Sequence, residues 1–210
     1  MKPVYLSHFI NVSTPLYGGV SGKIKINQDS SIAHGDTANT LHLSLPNHVG
    51  THIDFPYHFH RNGKKLNDYP ASFWIFENVG FIQCSLDDVE NQLGDIDSDI
   101  ELLILKTGFG SCRGKENYWS SQPIIPSHFA RLFRDKFPKL RVFGFDMISM
   151  TSKKDRAEGK NAHLQFLIEQ NILILEDMDL SNFGCKPDKV IVSPLPIEGA
   201  DGSPCSVIAF

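Results

Sequence analysis

The sequence predicts a single α/β or α+β domain with a mostly β core, and three observations carry that expectation. Short apolar runs bounded by Gly, Pro and polar residues outnumber stretches with helical spacing, and the two kinds are mixed along the chain. The 210 residues suffice for one substantial hydrophobic core, so one domain over 1–210 is expected. Hydrophobic residues make up 41% and charged residues 21%, ordinary globular usage that excludes disordered and fibrous classes.

Taken in order, Leu41-His42-Leu43-Ser44-Leu45 alternates apolar and polar side chains, the period of a half-buried strand, and Pro46-Asn47 ends it. Phe73-Trp74-Ile75-Phe76 and Gly80-Phe81-Ile82-Gln83-Cys84 are short apolar runs. Ser85-Leu86-Asp87-Asp88-Val89-Glu90 reads as a capped helix start with acidic first-turn residues. Leu102-Leu103-Ile104-Leu105, ending at Thr107-Gly108, suits a strand buried on both faces. Residues 125–133 are expected to be helical with Ser127 near the cap, and Val142-Phe143-Gly144-Phe145-Asp146 to be a buried strand that delivers Asp146 at its end. Helical spacing returns over residues 162–170, where Phe166 and Leu167 follow His163 at i+3 and i+4. Ile172-Leu173-Ile174-Leu175 is a strand that stops at Glu176. Lys189-Val190-Ile191-Val192-Ser193 and Ser206-Val207-Ile208-Ala209-Phe210 are two more strands around a turn containing Gly and Pro.

A formal net charge of -4 and a pI near 6.1 exclude general nucleic-acid binding, since no basic excess exists to displace the counterions of a phosphate backbone. The short basic run Lys153, Lys154 and Arg156 reads as a solvated loop. Met1-Lys2-Pro3-Val4-Tyr5 lacks the apolar core of a signal peptide, and no stretch approaches the ~20 apolar residues of a bilayer span. A cytoplasmic address with no membrane partner is therefore expected. Cys84, Cys112, Cys185 and Cys205 lie far apart without a CxxC pair, which argues against a zinc knuckle and a thioredoxin-like site and for reduced thiols.

Histidine is the informative residue. Of nine in the chain, His48, His52, His58 and His60 fall within thirteen positions, interleaved with Asp54. Imidazole together with carboxylate suits zinc, manganese or iron. His48 and His52 are four apart, but no Glu follows the first of them, so the segment is not the helical zinc-protease motif. Val49, Gly50, Thr51, Ile53 and Pro56 oppose a regular helix. A strand-to-loop wrap around an ion is expected, with His52 and Asp54 on one side by period-2 geometry. A lone histidine is usually a loop or core residue, whereas four with an Asp in so short a span favour a ligand set. Gly50 and Thr51 are read as permitting close backbone approach. His60 is expected on the same side as His58, either supporting the site or facing outward, and Asp146 either orients a site group or caps a turn.

His48-x-Gly50-Thr51-His52-x-Asp54-x-Pro56-x-His58 resembles the HxGTHxDxPxH signature of the cyclase family of metal-dependent hydrolases, which includes bacterial kynurenine formamidases and isatin hydrolases. Further segments agree in order: residues 102–108 resemble the family's "LLIxTG" strand, Gly144-Phe145-Asp146-Met147-Ile148-Ser149 its "GxDxxS", Ile174-Leu175-Glu176-Asp177-Met178 its "IxExL", and residues 194–204 the closing "LPLxxxGxDGSP". The resemblance implies a swivelling β/β/α-type fold, a homodimer or larger homo-oligomer, a small-molecule substrate, and a divalent metal, zinc first and manganese second, with one or two ions per chain. Residue by residue, it implies His48, His52 and Asp54 as ligands of a first ion, Asp54 bridging to a second, and His163 and Glu176 completing the site. His58 matches the proton donor and acceptor, and Tyr17 the aromatic residue lining the substrate pocket. Two departures stand out. The interval from His163 to Glu176 is one residue longer than the family's, and Cys205 follows Ser203-Pro204 where many members carry Arg, which removes a charged contact to an acidic substrate or a neighbouring subunit.

A divalent cation lowers the pKa of bound water to ~7, so a hydrolase of this kind needs no Ser or Cys nucleophile, and it stabilises the oxyanion that forms on the attacked carbonyl. The departing amine needs a proton, which an imidazole of ordinary pKa near ~6.5 can take from water and deliver. The expected activity is cleavage of the C–N bond of a small amide or formamide, as in an arylformamidase. Ring opening or closure of a lactone or lactam, and a non-catalytic metal-binding relative, stay open at this point.

Overall fold

The most apolar runs of the chain become the interior of one mixed sheet. The structure, a computed structural model, describes residues 2–210, and Met1 lies outside them. In chain order its strands are β1 (Val4–Tyr5), β2 (Lys25–Ser30), β3 (Thr40–Ser44), β4 (His52–Asp54), β5 (Ile75–Phe76), β6 (Val79–Gln83), β7 (Leu102–Lys106), β8 (Val142–Phe145), β9 (Leu173–Glu176), β10 (Val190–Pro194) and β11 (Gly202–Ala209).

Strands β6, β7, β8 and β9 pair in parallel, with Val79 opposite Leu102, Leu102 opposite Val142, and Val142 opposite Leu173. Parallel neighbours require crossovers, and these carry the helices Phe129–Lys136 and Arg156–His163. Covered in this way, Leu102 to Leu105 and Val142, Phe143 and Phe145 are fully buried, the pattern a continuous apolar strand predicts. Phe166 stacks on Phe143 at 5.4 Å and Phe133 meets it edge-on at 5.0 Å. Each such buried ring contributes roughly 1.5–3 kcal/mol of hydrophobic transfer.

Beyond β9 the pairing turns antiparallel, through β4, β11, β10 and β5 in that order, and β1 adds to β11. The outermost strands of this order, β5 and β6, are joined only by residues 77–78, so the sheet curls back toward closure on itself. The mixed α/β class with a mostly β core is as expected. Cys84, Cys112, Cys185 and Cys205 are all free. No helix of the described residues is long and apolar enough to cross a membrane.

Three local expectations are corrected. β3 forms where the alternation places it but is not half-buried: Leu41 is 63% and Leu43 55% exposed. It pairs only with β2, in a two-stranded ribbon whose Ile26 packs against the small cluster of Leu16, Ile24 and Val49 while Leu41 and Leu43 stay uncovered. The helix expected over 125–133 begins only at Phe129 and runs to Lys136, with Ser127 next to the cap residue His128. Pro126 biases Ile125 away from helix, and the Ser127 N–H donates instead to Glu158 Oε1 at 2.7 Å. The helix around His163 starts earlier than its apolar spacing suggests, at Arg156, where the Asp155 carboxylate accepts from the Glu158 N–H at 2.9 Å. Its continuation, Leu164–Glu169, is π-helical.

Candidate metal centre

β4 lies between β9 and β11, and its register builds the centre. His52 sits opposite Glu176, and Asp54 opposite Gly202 on the other side. Because strand side chains alternate, His52 and Asp54 share one face, as their spacing predicts. Gly50 takes a left-handed φ of 59°, which lets the chain double back and bring His48 over the same spot. The His48 ring lies so close to the Gly202 backbone that a methyl group at position 202 would overlap it. His163, the last residue of its helix, comes in from the layer above. The chain continues from it as a π-helical segment, Leu164–Glu169, before β9 delivers Glu176.

The imidazoles are held by their remote nitrogens. His52 Nδ1 is 2.8 Å from Gly50 O, and His163 Nδ1 is 2.8 Å from Gly159 O. A carbonyl only accepts, so each Nδ1 carries a hydrogen and each Nε2 is left to take either a proton or a cation. Those Nε2 atoms converge on two buried carboxylates: His52 lies 3.3 Å from Glu176 Oε2 and 3.5 Å from Asp54 Oδ1, His163 3.6 Å from Asp54 Oδ2 and 3.7 Å from Glu176 Oε1. His48 Nδ1 approaches Asp54 Oδ1 to 2.8 Å. That approach is not aligned as a hydrogen bond, so Oδ1 is buried without a donor. The Met150 N–H holds Glu176 Oε1 at 2.5 Å.

Electrostatics follow from this crowding. Burial opposes a charged His52, yet the hydrogen bond to Glu176 and the charge of Asp54 outweigh it and push its pKa up to about 9. His163 is likewise opposed by burial and raised by Asp54 and Glu176, to about 10. Burial would raise Asp54, but the His163 and His48 imidazoles hold it well below the usual carboxylate range. Two carboxylates thus draw positive charge from whatever surrounds them, as protons on imidazole or as a cation. The residues fit a divalent cation: imidazole Nε2 atoms turned toward carboxylates, an orphaned carboxylate oxygen, and remote N–H groups tied to carbonyls as metal-ligating histidines require. Ligand atoms of His52, Asp54 and Glu176 lie within 4.8 Å of one another, as do those of His48, Asp54 and His58, with Asp54 common to both sets.

These side chains floor a cavity of about 340 Å³ whose walls include Pro15, Tyr17, Phe59 and Ile148, so Tyr17 stands where the pocket-lining residue was expected. Phe59 stacks on His163 at 4.3 Å. His58 also lines the cavity. A larger groove of about 610 Å³, between Leu66, Trp74, Ile191 and Pro196, contains none of the clustered ligands, and the chemistry lies in the smaller space. His60 does not share the side of His58: the turn Pro56–His58 breaks the period-2 geometry, and exposed His60 Nδ1 accepts from the Asn62 N–H at 3.3 Å. Asp146 caps a loop, its carboxylate accepting from Thr107 N at 2.8 Å, Thr107 Oγ1 at 2.6 Å and Gly108 N at 2.9 Å. Thr51 does more than allow backbone approach: its hydroxyl accepts from His8 N at 3.0 Å and donates to Asp177 O at 2.5 Å, tying three segments beneath His52.

Two residues beside the cluster escaped sequence reasoning. Asp201 contacts His58, His48 and Asn47, and its only signal was its place in the closing Gly199-Ala200-Asp201-Gly202 segment. Asp177, directly after Glu176, pairs with Arg113, and nothing local in the sequence joins positions 64 residues apart.

Comparison with known proteins agrees with this geometry. Residues 4–152 match the Cyclase family model, described as "Putative cyclase". A kynurenine formamidase of Bacillus thuringiensis subsp. konkukian is 28% identical over 210 residues, covering 96% of this chain and 97% of that protein. One from Bacillus cereus strain ATCC 14579 is 27% identical over 218 residues, with the same coverage of 96% and 97%. Among solved structures, isatin hydrolase A from Labrenzia aggregata superposes with a TM-score of 0.80 at 19% identity, covering 99% of this chain and 93% of that one. A protein from Bacillus stearothermophilus described as a "predicted metal-dependent hydrolase" gives 0.75 at 20% identity, covering 99% and 97%. These likenesses bear out the fold class.

Proposed function

This chain belongs to the cyclase family, and on that footing we propose that it is a metal-dependent hydrolase that cleaves the C–N bond of a small amide or formamide, in the manner of an arylformamidase. The observation that carries the reading is the pair of Nε2 atoms, on His52 and His163, aimed at Asp54 and Glu176. With His48 these four would hold one or two divalent ions, zinc before manganese, Asp54 being shared between them. When bound, such a cation polarises a carbonyl and brings water toward its deprotonated form near neutral pH.

The remaining work falls to the chain. Tyr17, Pro15, Phe59 and Ile148 form an apolar wall that would bind the hydrocarbon part of a small substrate and exclude bulk water. His58, beside His48 in the same cavity, is the proton donor and acceptor: it takes a proton from attacking water and returns it to the departing nitrogen. Elemental analysis and a panel of N-formyl anilines, isatin and simple lactones test the reading. One or two zinc or manganese ions per chain with turnover of an amide is the expected result. Absence of both metal and turnover overturns it, and turnover confined to lactones replaces the amide.

We also place the protein in the cytoplasm as a homodimer or larger assembly. The support for assembly is the β2–β3 ribbon, which leaves Leu41 and Leu43 uncovered. A monomer by light scattering at micromolar concentration would refute it.

A further inference from the structure

We propose that Asp201 is a positioning residue that sets the tautomer and aim of His58 while holding His48, so that one carboxylate couples the proton-transfer group to a metal ligand. The inference rests on the hydrolase reading above, in which His58 moves the proton.

Asp201 Oδ2 lies 2.8 Å from His58 Nδ1 and 3.2 Å from His48 Nε2. Its other oxygen, Oδ1, accepts from Asn47 Nδ2 at 2.6 Å, and the same amide donates to Gly202 O at 3.1 Å. The Asp201 backbone is tied as well, its carbonyl accepting from the Phe55 N–H at 2.9 Å. The carboxylate is thus clamped at the head of β11, one residue before the glycine on which the His48 ring rests.

An ionised carboxylate only accepts, so both ring nitrogens facing it carry hydrogen. For His58 this puts the hydrogen on Nδ1 and leaves Nε2 as the lone pair available to take a proton from water. His48 faces two carboxylates, its Nε2 3.2 Å from Asp201 Oδ2 and its Nδ1 2.8 Å from Asp54 Oδ1, so Asp201 holds the ring by its remote nitrogen while Nδ1 is presented to Asp54 and to a cation bound there. The two rings stand 4.2 Å apart, so neither turns without disturbing the other. The same oxygen therefore prepares a ligand and an acid–base group through their remote nitrogens.

The zinc-loaded protein tests this by two routes. Asp201→Asn should lower kcat about tenfold and Asp201→Ala about 100-fold, with KM within about threefold and zinc retained at saturation. In a His58→Ala background saturated with zinc, Asp201→Ala should remove less than about twofold more, because with the metal site filled its remaining effect passes through His58. Fully multiplicative losses would reduce Asp201 to a structural residue and overturn the proposal. Independently, nitrogen-15 NMR of imidazole-labelled protein should find the His58 hydrogen on Nδ1, and this signal should vanish in Asp201→Ala. An Nε2-protonated His58 in an active enzyme overturns the proposal, whereas no turnover of any panel substrate with His58 protonated on Nδ1 is failure of the hydrolase reading.

Discussion

Glu176 and Asp177 are consecutive, yet they belong to opposite kinds of charged cluster. Asp177 is met on every side: Arg113 Nε donates to its two oxygens at 2.9 and 3.1 Å, Arg113 Nη2 to Oδ2 at 2.8 Å, and the Tyr118 hydroxyl to Oδ1 at 2.5 Å. One carboxylate, one guanidinium and one hydroxyl close on themselves. Glu176 shares its space with Asp54 and three histidines, and there Asp54 Oδ1 has no donor. With neutral imidazoles that cluster is two positive charges short. The left-handed φ of 51° at Asp177 separates the two by turning successive carboxylates to different sides. A buried ionic cluster that is complete serves as framework, and one that is complete only with a cation serves as a site.

Breaking the open cluster should have the largest effect. His52→Ala removes a ligand, and both bound metal and turnover should fall, the latter on the order of 10³-fold, as loss of several kcal/mol of transition-state stabilisation requires. A variant that keeps its metal would mean that the cluster is not the site. Breaking the closed cluster should act on the fold instead. Arg113→Met leaves the Asp177 carboxylate buried with too few partners and should cost about 3 kcal/mol in urea unfolding. Folded protein of that variant should still take up metal, and a stability unchanged from the parent would contradict the framework role.

A gentler probe is pH. In the metal-free centre His52 is raised to about 9 and His163 to about 10, so at neutral pH both hold protons that an incoming ion must displace. Those protons are bound below the raised pKa values and lost above them. Metal affinity should therefore climb between pH 6 and 8, by up to about tenfold per unit for each proton released. Chelator competition at three pH values reads this, and a flat affinity would contradict it. The smallest effect belongs to His60, which lies outside both clusters: His60→Ala should change stability by less than about 0.5 kcal/mol and turnover by less than about twofold. A larger loss of turnover would draw His60 into the centre.

Much of the scaffold was legible because its signals are local. Leu102 to Leu105 and Val142 to Phe145 are too short and too continuously apolar for anything but buried strands, and both are found as such. The segment from His48 to His58 announced its chemistry because seven signature residues fall within eleven positions. The helix at His163 was harder to bound, since its first turns, Arg156-Ala157-Glu158-Gly159, carry little apolar pattern. The ribbon of β2 and β3 shows the opposite failure. Alternation announced a buried face for Leu41 and Leu43, but alternation only sorts side chains to two sides and cannot supply a layer to cover either of them.

The sequence by itself determined the apolar strands, the ordinary acidic surface and His48, His52 and Asp54 as candidate ligands, because these depend on residue type and short spacing, whereas His163 and Glu176 came only from the family resemblance. Only the tertiary structure decided which nitrogens face the carboxylates, that Asp201 reaches back to His58 and His48, and that Arg113 closes on Asp177. Those contacts join positions 143, 153 and 64 residues apart. No local period encodes such pairs; the first two come from the register of β4 against β11 and the third from the Arg113 loop meeting the end of β9, all fixed when the sheet assembles around its core.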